Sequence, residues 1–239
     1  MIPIKDDNPT YSFPFVTILL ILVNIAVYVY QITLGQEAQA FVYRLGAVPW
    51  EITHFQEFPR FPVDYRSGIP NVFTIATSMF IHGGILHLAG NMLYLWIFGD
   101  NIEALMGHGR FLFFYLCCGI VAALSYIVTE PNSTVPMVGA SGAISGVLGA
   151  YFIRFPRAKV HVMIIFLFFI RFVRVSALFV LGFWFVIQVL YGFGTLGFQS
   201  GGGVAWFAHI GGFVIGLVLV FIFEKKERLR IYRRVGWRR

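Results

Sequence analysis

Six long apolar segments constrain the fold of this chain more than any other feature of its sequence. A helix that crosses a bilayer needs about 20 mostly apolar residues. The segments that meet this requirement are roughly residues 13–34, 84–102, 111–128, 138–155, 176–193 and 204–223. The pattern predicts an all-α membrane protein with six transmembrane helices in a compact bundle.

The composition supports a membrane protein rather than a soluble one. Of the 239 residues, 58% are hydrophobic and only 12% are charged, whereas an ordinary soluble domain carries about 25% charged residues. A soluble fold of this size cannot cover so much apolar surface. We therefore predict a single membrane domain over residues 1–239, with a basic tail from about 224 to 239.

The positive charges are concentrated where a membrane protein places them. The net charge is +7, and eight of the 18 Lys and Arg residues lie in the tail directly after the last apolar segment. Such a tail is typical of a cytoplasmic anchor on anionic lipid, not of a nucleic-acid-binding protein. With six spans, 15 cations lie on one side and three on the other. This split predicts two cytoplasmic termini in a multi-pass protein, which we assign to a prokaryotic plasma membrane.

Two connections between the spans need separate interpretation. The loop at residues 35–72 contains four prolines, which favour short helices and turns at the outer surface. The apolar run at residues 161–170 covers only about 15 Å as a helix, half the hydrocarbon core. Cations flank this run on both sides, so we predict an interfacial or re-entrant connection.

Polar residues in three of the spans indicate a reactive site. Ser141, His209 and the pair His87 and Asn91 each lie early in a span that enters from the outer side. Such residues are costly in lipid and mark functional sites. Ser141 is the candidate nucleophile and His209 its base. His87 and Asn91 share one helix face and can donate hydrogen bonds to an oxyanion.

Glycines surround these candidates at helical spacing. Gly139 and Gly142 flank Ser141 where a loop enters a helix, so the chain can turn sharply and present free backbone N–H groups. Two helix faces then lack side chains, which lets the fourth and sixth spans approach closely. Their glycines are Gly142, Gly146 and Gly149 on one span and Gly212 and Gly216 on the other.

A metal site is the main chemical alternative at these positions. His82, His87 and His209 could be three zinc ligands. However, neither a carboxylate nor a cysteine lies near enough in the sequence to complete the set, and the HExxH pattern is missing. We expect neither a metal nor another cofactor.

Three motifs together resemble the signatures of rhomboid intramembrane serine proteases. They are the run from His82 to Asn91 (HGGILHLAGN), Gly139-Ala-Ser141-Gly142, and Ala208-His209-Ile-Gly-Gly212. They occur in the family's order on the second, fourth and sixth spans, and the resemblance covers nearly the whole chain. Gly-x-Ser-Gly alone would be a weak signal, but the combination is highly specific.

The resemblance implies a rhomboid-like bundle that cleaves transmembrane substrates in or near their membrane helix with a Ser141–His209 dyad. It implies an oxyanion site at His87 and Asn91, and structural support from His82 and from Glu103. The alternative is a non-catalytic relative that binds membrane clients. The chain departs from the family at Phe73-Thr74, where many relatives have Trp-Arg. It also departs at Ser145, where some relatives place an aromatic residue against the catalytic histidine.

Overall fold

The computed structural model describes residues 2–166, 169–194 and 204–236. Within these ranges the chain forms ten α-helices, four short 3-10 helices and three strands. The helices are α1 (Phe15–Thr33), α2 (Ala38–Leu45), α3 (Pro49–His54), α4 (Thr74–Thr77), α5 (Ile85–Met106), α6 (His108–Thr129), α7 (Ser141–Arg154), α8 (Ala177–Gly194), α9 (Trp206–Phe223) and α10 (Lys226–Gly236). The strands are β1 (Ile2–Asp6), β2 (Lys159–Phe166) and β3 (Phe169–Ser176).

A helix occupies each of the six predicted spans, but the helices differ in their ability to cross a membrane alone. Among the described residues, four helices are long and apolar enough, namely α1, α6, α8 and α9. Helix α5 makes a fifth only together with the segment Asn71–Phe80, which is bent 78° from it. Helix α7 has 14 residues and is about 21 Å long, shorter than the hydrocarbon core. The protein is therefore a mostly helical, multi-pass membrane protein.

The prediction of an all-α fold is wrong at one end of the bundle. Strands β1, β2 and β3 form an antiparallel sheet in that order, with Lys159 opposite Ser176 and Phe166 opposite Phe169 in the β2–β3 hairpin. The described part of the predicted connection, residues 161–166 and 169–170, is therefore extended and pairs as neighbouring strands of this sheet. Val160 and Val162 are buried, while His161 between them is partly exposed. This period of two is the signal of a strand.

Helix α7 lies in the centre of the bundle. It packs against α5, α6, α8 and α9, and all its residues from Gly142 to Tyr151 are buried. Five of its 14 residues are glycine or alanine within Gly142–Ala150, which lets the neighbouring backbones approach from several sides. The first residue of this central helix is Ser141.

The two ends of the bundle have different contents. At one end, β1 pairs with β2, Tyr11 and Tyr232 lie with ring centroids 5.0 Å apart, and the Lys225 N–H donates to the Leu105 carbonyl. At the other end, the proline-rich loop folds into the short helices α2 and α3, as its prolines predict. A backbone bridge between Ala47 and Met137 joins this loop to the segment before α7. The start of α7 therefore lies at the loop end, away from the sheet.

Candidate active site

Ser141 begins a helix at a turn that only glycine can make. The residue two positions earlier, Gly139, has φ +123°, a left-handed conformation that side chains disfavour. A Cβ at Gly139 would lie 2.7 Å from Cε1 and 2.8 Å from Nε2 of His87. The turn thus places the imidazole of His87 directly against the backbone that leads to Ser141. The first N–H groups of α7 have no carbonyl of a preceding turn to bond.

His209 meets Ser141 across the contact between α7 and α9. The Nε2 atom of His209 lies 2.8 Å from the Ser141 Oγ. A Cβ at Gly212 would lie 2.1 Å from the Gly142 carbonyl oxygen, and one at Gly216 would lie 2.1 Å from the Gly146 oxygen. These two glycines of α9 therefore have no room for a side chain. A Cβ at Gly146 would point toward α6 instead of α9, and it would lie 2.4 Å from the Cys118 side chain.

The opposite edge of His209 contacts a residue that the sequence did not indicate. The His209 Nδ1 lies 2.7 Å from the Oε1 of Gln188, a buried side chain of α8. One turn earlier on α8, Trp184 lies with its ring centroid 5.9 Å from that of His209. The sequence does not indicate Gln188, because a single glutamine in an apolar segment belongs to no recognisable motif. Its only signal was the cost of a polar group in lipid.

Ser145 does not take the place of the aromatic residue found in some relatives. Its hydroxyl donates to the Ser141 carbonyl oxygen at 2.7 Å, one turn back in α7. The aromatic rings near His209 instead come from α8 and from the start of α9, where the Trp206 centroid lies 6.4 Å away.

His82, His87 and Asn91 form a second polar group beside Ser141. The Asn91 Nδ2 lies 3.0 Å from the His82 Nε2, and the ring centroids of His82 and His87 are 5.2 Å apart. The backbone of His82 is held as well, because its carbonyl accepts a hydrogen bond of 2.9 Å from Gln31 of α1. His82 therefore fixes Asn91 while its own segment is tied to α1.

A cavity of about 1230 Å³ opens onto these groups. Its lining includes Ser141, His209, His87, Asn91 and Trp184. The nucleophile candidate, the base candidate and the two oxyanion candidates therefore share one space large enough for a peptide segment. Among the described residues, no three His, Cys, Asp or Glu side chains are placed to hold a metal ion.

Glu103 lies at the other end of the bundle, where it caps a helix. Its carboxylate accepts hydrogen bonds from the Val16 and Thr17 N–H groups at 2.8 and 2.7 Å, and it also contacts the Thr17 hydroxyl and His108. A carboxylate at the start of α1 satisfies two unpaired N–H groups and complements the helix dipole. Glu103 thus ties α5 to the start of α1 and is not part of the cavity lining.

Comparison with known proteins identifies the family. The family model described as the rhomboid domain matches residues 70–226, a range that contains every candidate site residue. The chain belongs to the rhomboid family.

Three curated relatives illustrate the similarity. The rhomboid protease GluP of Bacillus subtilis is 46% identical over 76 residues, which are 32% of this chain and 14% of that protein. Presenilin-associated rhomboid-like protein A, mitochondrial, of Danio rerio is 33% identical over 122 residues, 48% of this chain and 31% of that protein. Rhomboid protein 1, mitochondrial, of Saccharomyces cerevisiae is 31% identical over 123 residues, 50% of this chain and 35% of that protein. The chain thus spans about a third or less of the length of these relatives.

Proposed function

We propose that this protein is an intramembrane serine endopeptidase that cleaves transmembrane protein substrates in or near their membrane helix. The observation that carries the proposal is the contact of 2.8 Å between the Ser141 Oγ and the His209 Nε2. Serine is a weak nucleophile at neutral pH and needs an adjacent base. The family's named proteases and the cavity beside this pair support the same function.

The proposed chemistry follows from the positions of the side chains. His209 accepts the Ser141 proton as the Ser141 oxygen attacks the scissile carbonyl, and it then donates that proton to the leaving amine. Asn91, His87 and the first N–H groups of α7 stabilise the oxyanion. The acyl-enzyme that results is hydrolysed by water, which His209 deprotonates in turn.

The placement in the membrane is part of the proposal. We assign six spans, with α7 as a short central span that need not face lipid, and both termini on the cytoplasmic side. The positive charges favour this orientation. The basic segment that starts α10 would lie against anionic lipid. A prokaryotic plasma membrane stays a prediction, since the relatives named above come from a bacterium and from mitochondria.

This placement sets a condition on the substrate. Peptide bonds in a helix are shielded by their own hydrogen bonds, so a substrate must unwind locally to reach Ser141. The cavity lies at the loop end of the bundle, which faces the aqueous outer side in this placement. We therefore propose substrates whose transmembrane helix unwinds easily at the level of the cavity.

The test is covalent labelling by a serine-directed fluorophosphonate in detergent. The wild-type protein should be labelled, while Ser141→Ala and His209→Ala should each abolish labelling and cleavage of a transmembrane substrate without loss of the fold. Labelling that persists in Ser141→Ala would contradict the nucleophile assignment. A well-folded wild-type protein that takes no label would instead favour the client-binding alternative.

A further inference from the structure

Gln188 is a buried polar residue that contacts the candidate base on one side and its own helix on the other. It lies on α8, only 5% exposed, among the apolar residues of a membrane span. Its Oε1 lies 2.7 Å from the His209 Nδ1, and its Nε2 lies 3.3 Å from the Trp184 carbonyl oxygen. Burial of an amide in such a place is costly unless both of its ends are bonded. Here each end has a partner.

The contact with Trp184 fixes which end of the amide faces His209. A backbone carbonyl can only accept a hydrogen bond, so the group that contacts the Trp184 carbonyl must be the donating Nε2 of Gln188. The acceptor Oε1 is then directed at the imidazole. An oxygen of this kind requires a donor opposite it, so the proton of a neutral His209 must lie on Nδ1.

The position of that proton decides what the other ring nitrogen can do. With Nδ1 protonated, the Nε2 of neutral His209 has a free lone pair and accepts the hydrogen bond from the Ser141 hydroxyl. The opposite tautomer would direct an N–H at the Ser141 oxygen and could not remove its proton. All three hydrogen bonds are therefore donated in the same direction. The Ser141 hydroxyl donates to His209, the His209 Nδ1–H donates to Gln188, and the Gln188 Nε2 donates to the Trp184 carbonyl.

We propose that Gln188 is a positioning residue that holds His209 in the tautomer and ring orientation required for catalysis. The proposal rests on the proposed function, because it assigns a role within the same site. Gln188 occupies the place that an acidic residue occupies in a Ser-His-Asp triad. As a neutral amide it orients the imidazole and stabilises the imidazolium through its dipole, not through a full charge.

Trp184 and Gln188 act on different parts of the same ring. They lie one turn apart on α8, so they share a helix face. Trp184 packs its ring against His209 at 5.9 Å between centroids and a 38° angle, while Gln188 contacts the edge of the imidazole. Helix α8 thus supplies both the aromatic ring and the hydrogen-bond acceptor that contact His209. The Ser145 hydroxyl of α7 bonds the Ser141 carbonyl instead.

The experiment compares three variants of the full chain by rate of fluorophosphonate labelling, by kcat and KM on a transmembrane substrate, and by melting temperature. Gln188→Leu fills the same space without an acceptor, and Gln188→Met repeats this test with a more flexible side chain. Gln188→Glu keeps an oxygen acceptor at the same position. Val186→Ala on the same helix, at a half-exposed lipid-facing position, is the control.

We expect Gln188→Leu and Gln188→Met to slow labelling and lower kcat by roughly 10- to 100-fold with KM little changed. This loss is smaller than the roughly 10⁴-fold loss when the acid of a triad is replaced. Gln188→Glu should restore labelling to within about tenfold of wild type, because a carboxylate also accepts the Nδ1 proton. Val186→Ala should behave as wild type.

The outcomes separate this proposal from the proposed function. A wild-type protein that takes no label overturns the proposed function itself. A labelled wild type with equally fast Gln188→Leu and Gln188→Met variants overturns the role of Gln188 alone. Equal losses of rate in the Leu, Met and Glu variants, at an unchanged melting temperature, would also overturn it, since the acceptor would then be irrelevant.

Discussion

At the scale of single residues, Gly139 links the two halves of the candidate site. Its positive φ lets the chain enter α7 at Ser141, and its missing side chain leaves room for the ring of His87. A substitution there would strain the backbone and displace His87 at the same time. The oxyanion candidates and the nucleophile are therefore positioned by one residue that carries no chemistry of its own.

Asn91 provides the residue-scale prediction. Its Nδ2 contacts His82 through one N–H, which leaves the second N–H for an oxyanion in the cavity. Asn91→Ala should lower kcat by on the order of a hundredfold, since one oxyanion donor contributes about 3 kcal/mol. KM should change much less, because the interaction forms mainly in the transition state. Steady-state kinetics on a transmembrane substrate measure both, and an unchanged kcat would remove Asn91 from the site.

At the scale of helices, the distance between α7 and α9 decides whether the dyad can form. Gly212 and Gly216 face the carbonyl oxygens of Gly142 and Gly146, so the two backbones lie in close contact over about one turn. The glycine spacing predicted this contact, and the structure shows further close contacts at two glycines. Gly146 is restrained mainly by Cys118 of α6. Gly192 lies against Trp206 and Ile210 of α9, so it is also part of a close helix contact.

Gly212→Ala tests this contact with a single methyl group. Alanine usually stabilises a helix by about 1 kcal/mol relative to glycine, but here its Cβ would lie 2.1 Å from a backbone oxygen. We expect a lower melting temperature and a loss of activity on the order of a hundredfold, because the helices must separate by about 1 Å.

The matched control is Gly182→Ala in α8. Its Cβ would meet Phe152 at an ordinary distance of 3.5 Å, so stability and activity should stay near those of wild type. Thermal unfolding in detergent and the cleavage assay measure both variants. Full stability in Gly212→Ala would mean that α7 and α9 lie farther apart than the contact between Gly212 and the Gly142 carbonyl requires.

At the scale of the whole molecule, a small sheet closes the bundle at the end away from the cavity. Strand β1 pairs with β2, and Asp6 at its end accepts a hydrogen bond from the Tyr151 hydroxyl of α7. Burial raises the pKa of Asp6 from 3.8 to about 7, and the nearby Asp100 acts in the same direction. The chain thus connects its first strand to its central helix through an acid whose protonated form is favoured by burial.

The raised pKa makes stability depend on pH. Between about pH 4 and pH 7 the folded protein keeps a proton on Asp6 that the unfolded chain releases, so this group lowers stability as pH rises through that window. The destabilisation is complete above about pH 7. Asp6→Asn, which keeps an acceptor for Tyr151 but has no charge, should therefore raise the melting temperature at pH 8 and have little effect at pH 5.

Thermal unfolding of the wild type and the variant at the two pH values measures this difference. Asp64→Asn, in the exposed loop before α4, is the control for the loss of one surface carboxylate. Equal pH dependence in wild type and Asp6→Asn would show that Asp6 is ionised in the folded state at pH 5.

The sequence by itself determined that this protein lies in a membrane, and it identified the candidate residues of the site. Both depend on local properties: apolar segments of sufficient length indicate a bilayer, and motifs around Ser141, His87 and His209 indicate a family. Glycine spacing even indicated which helices approach each other, because helical periodicity defines the face on which each glycine lies. Such information is complete within one segment or one motif.

The tertiary structure decided what depends on partners far apart in the chain. Strand β2 pairs with β1, more than 150 residues away in sequence, as well as with β3. Strand pairing of this kind depends on distant partners, so an apolar run alone did not identify it. Gln188 lies 21 residues from His209 on a different helix. Helical periodicity relates residues of one helix only, so it could not connect Gln188 with Ser141 or His209. Only the packing of α8 against α9 turns that ordinary glutamine into the partner of the candidate base.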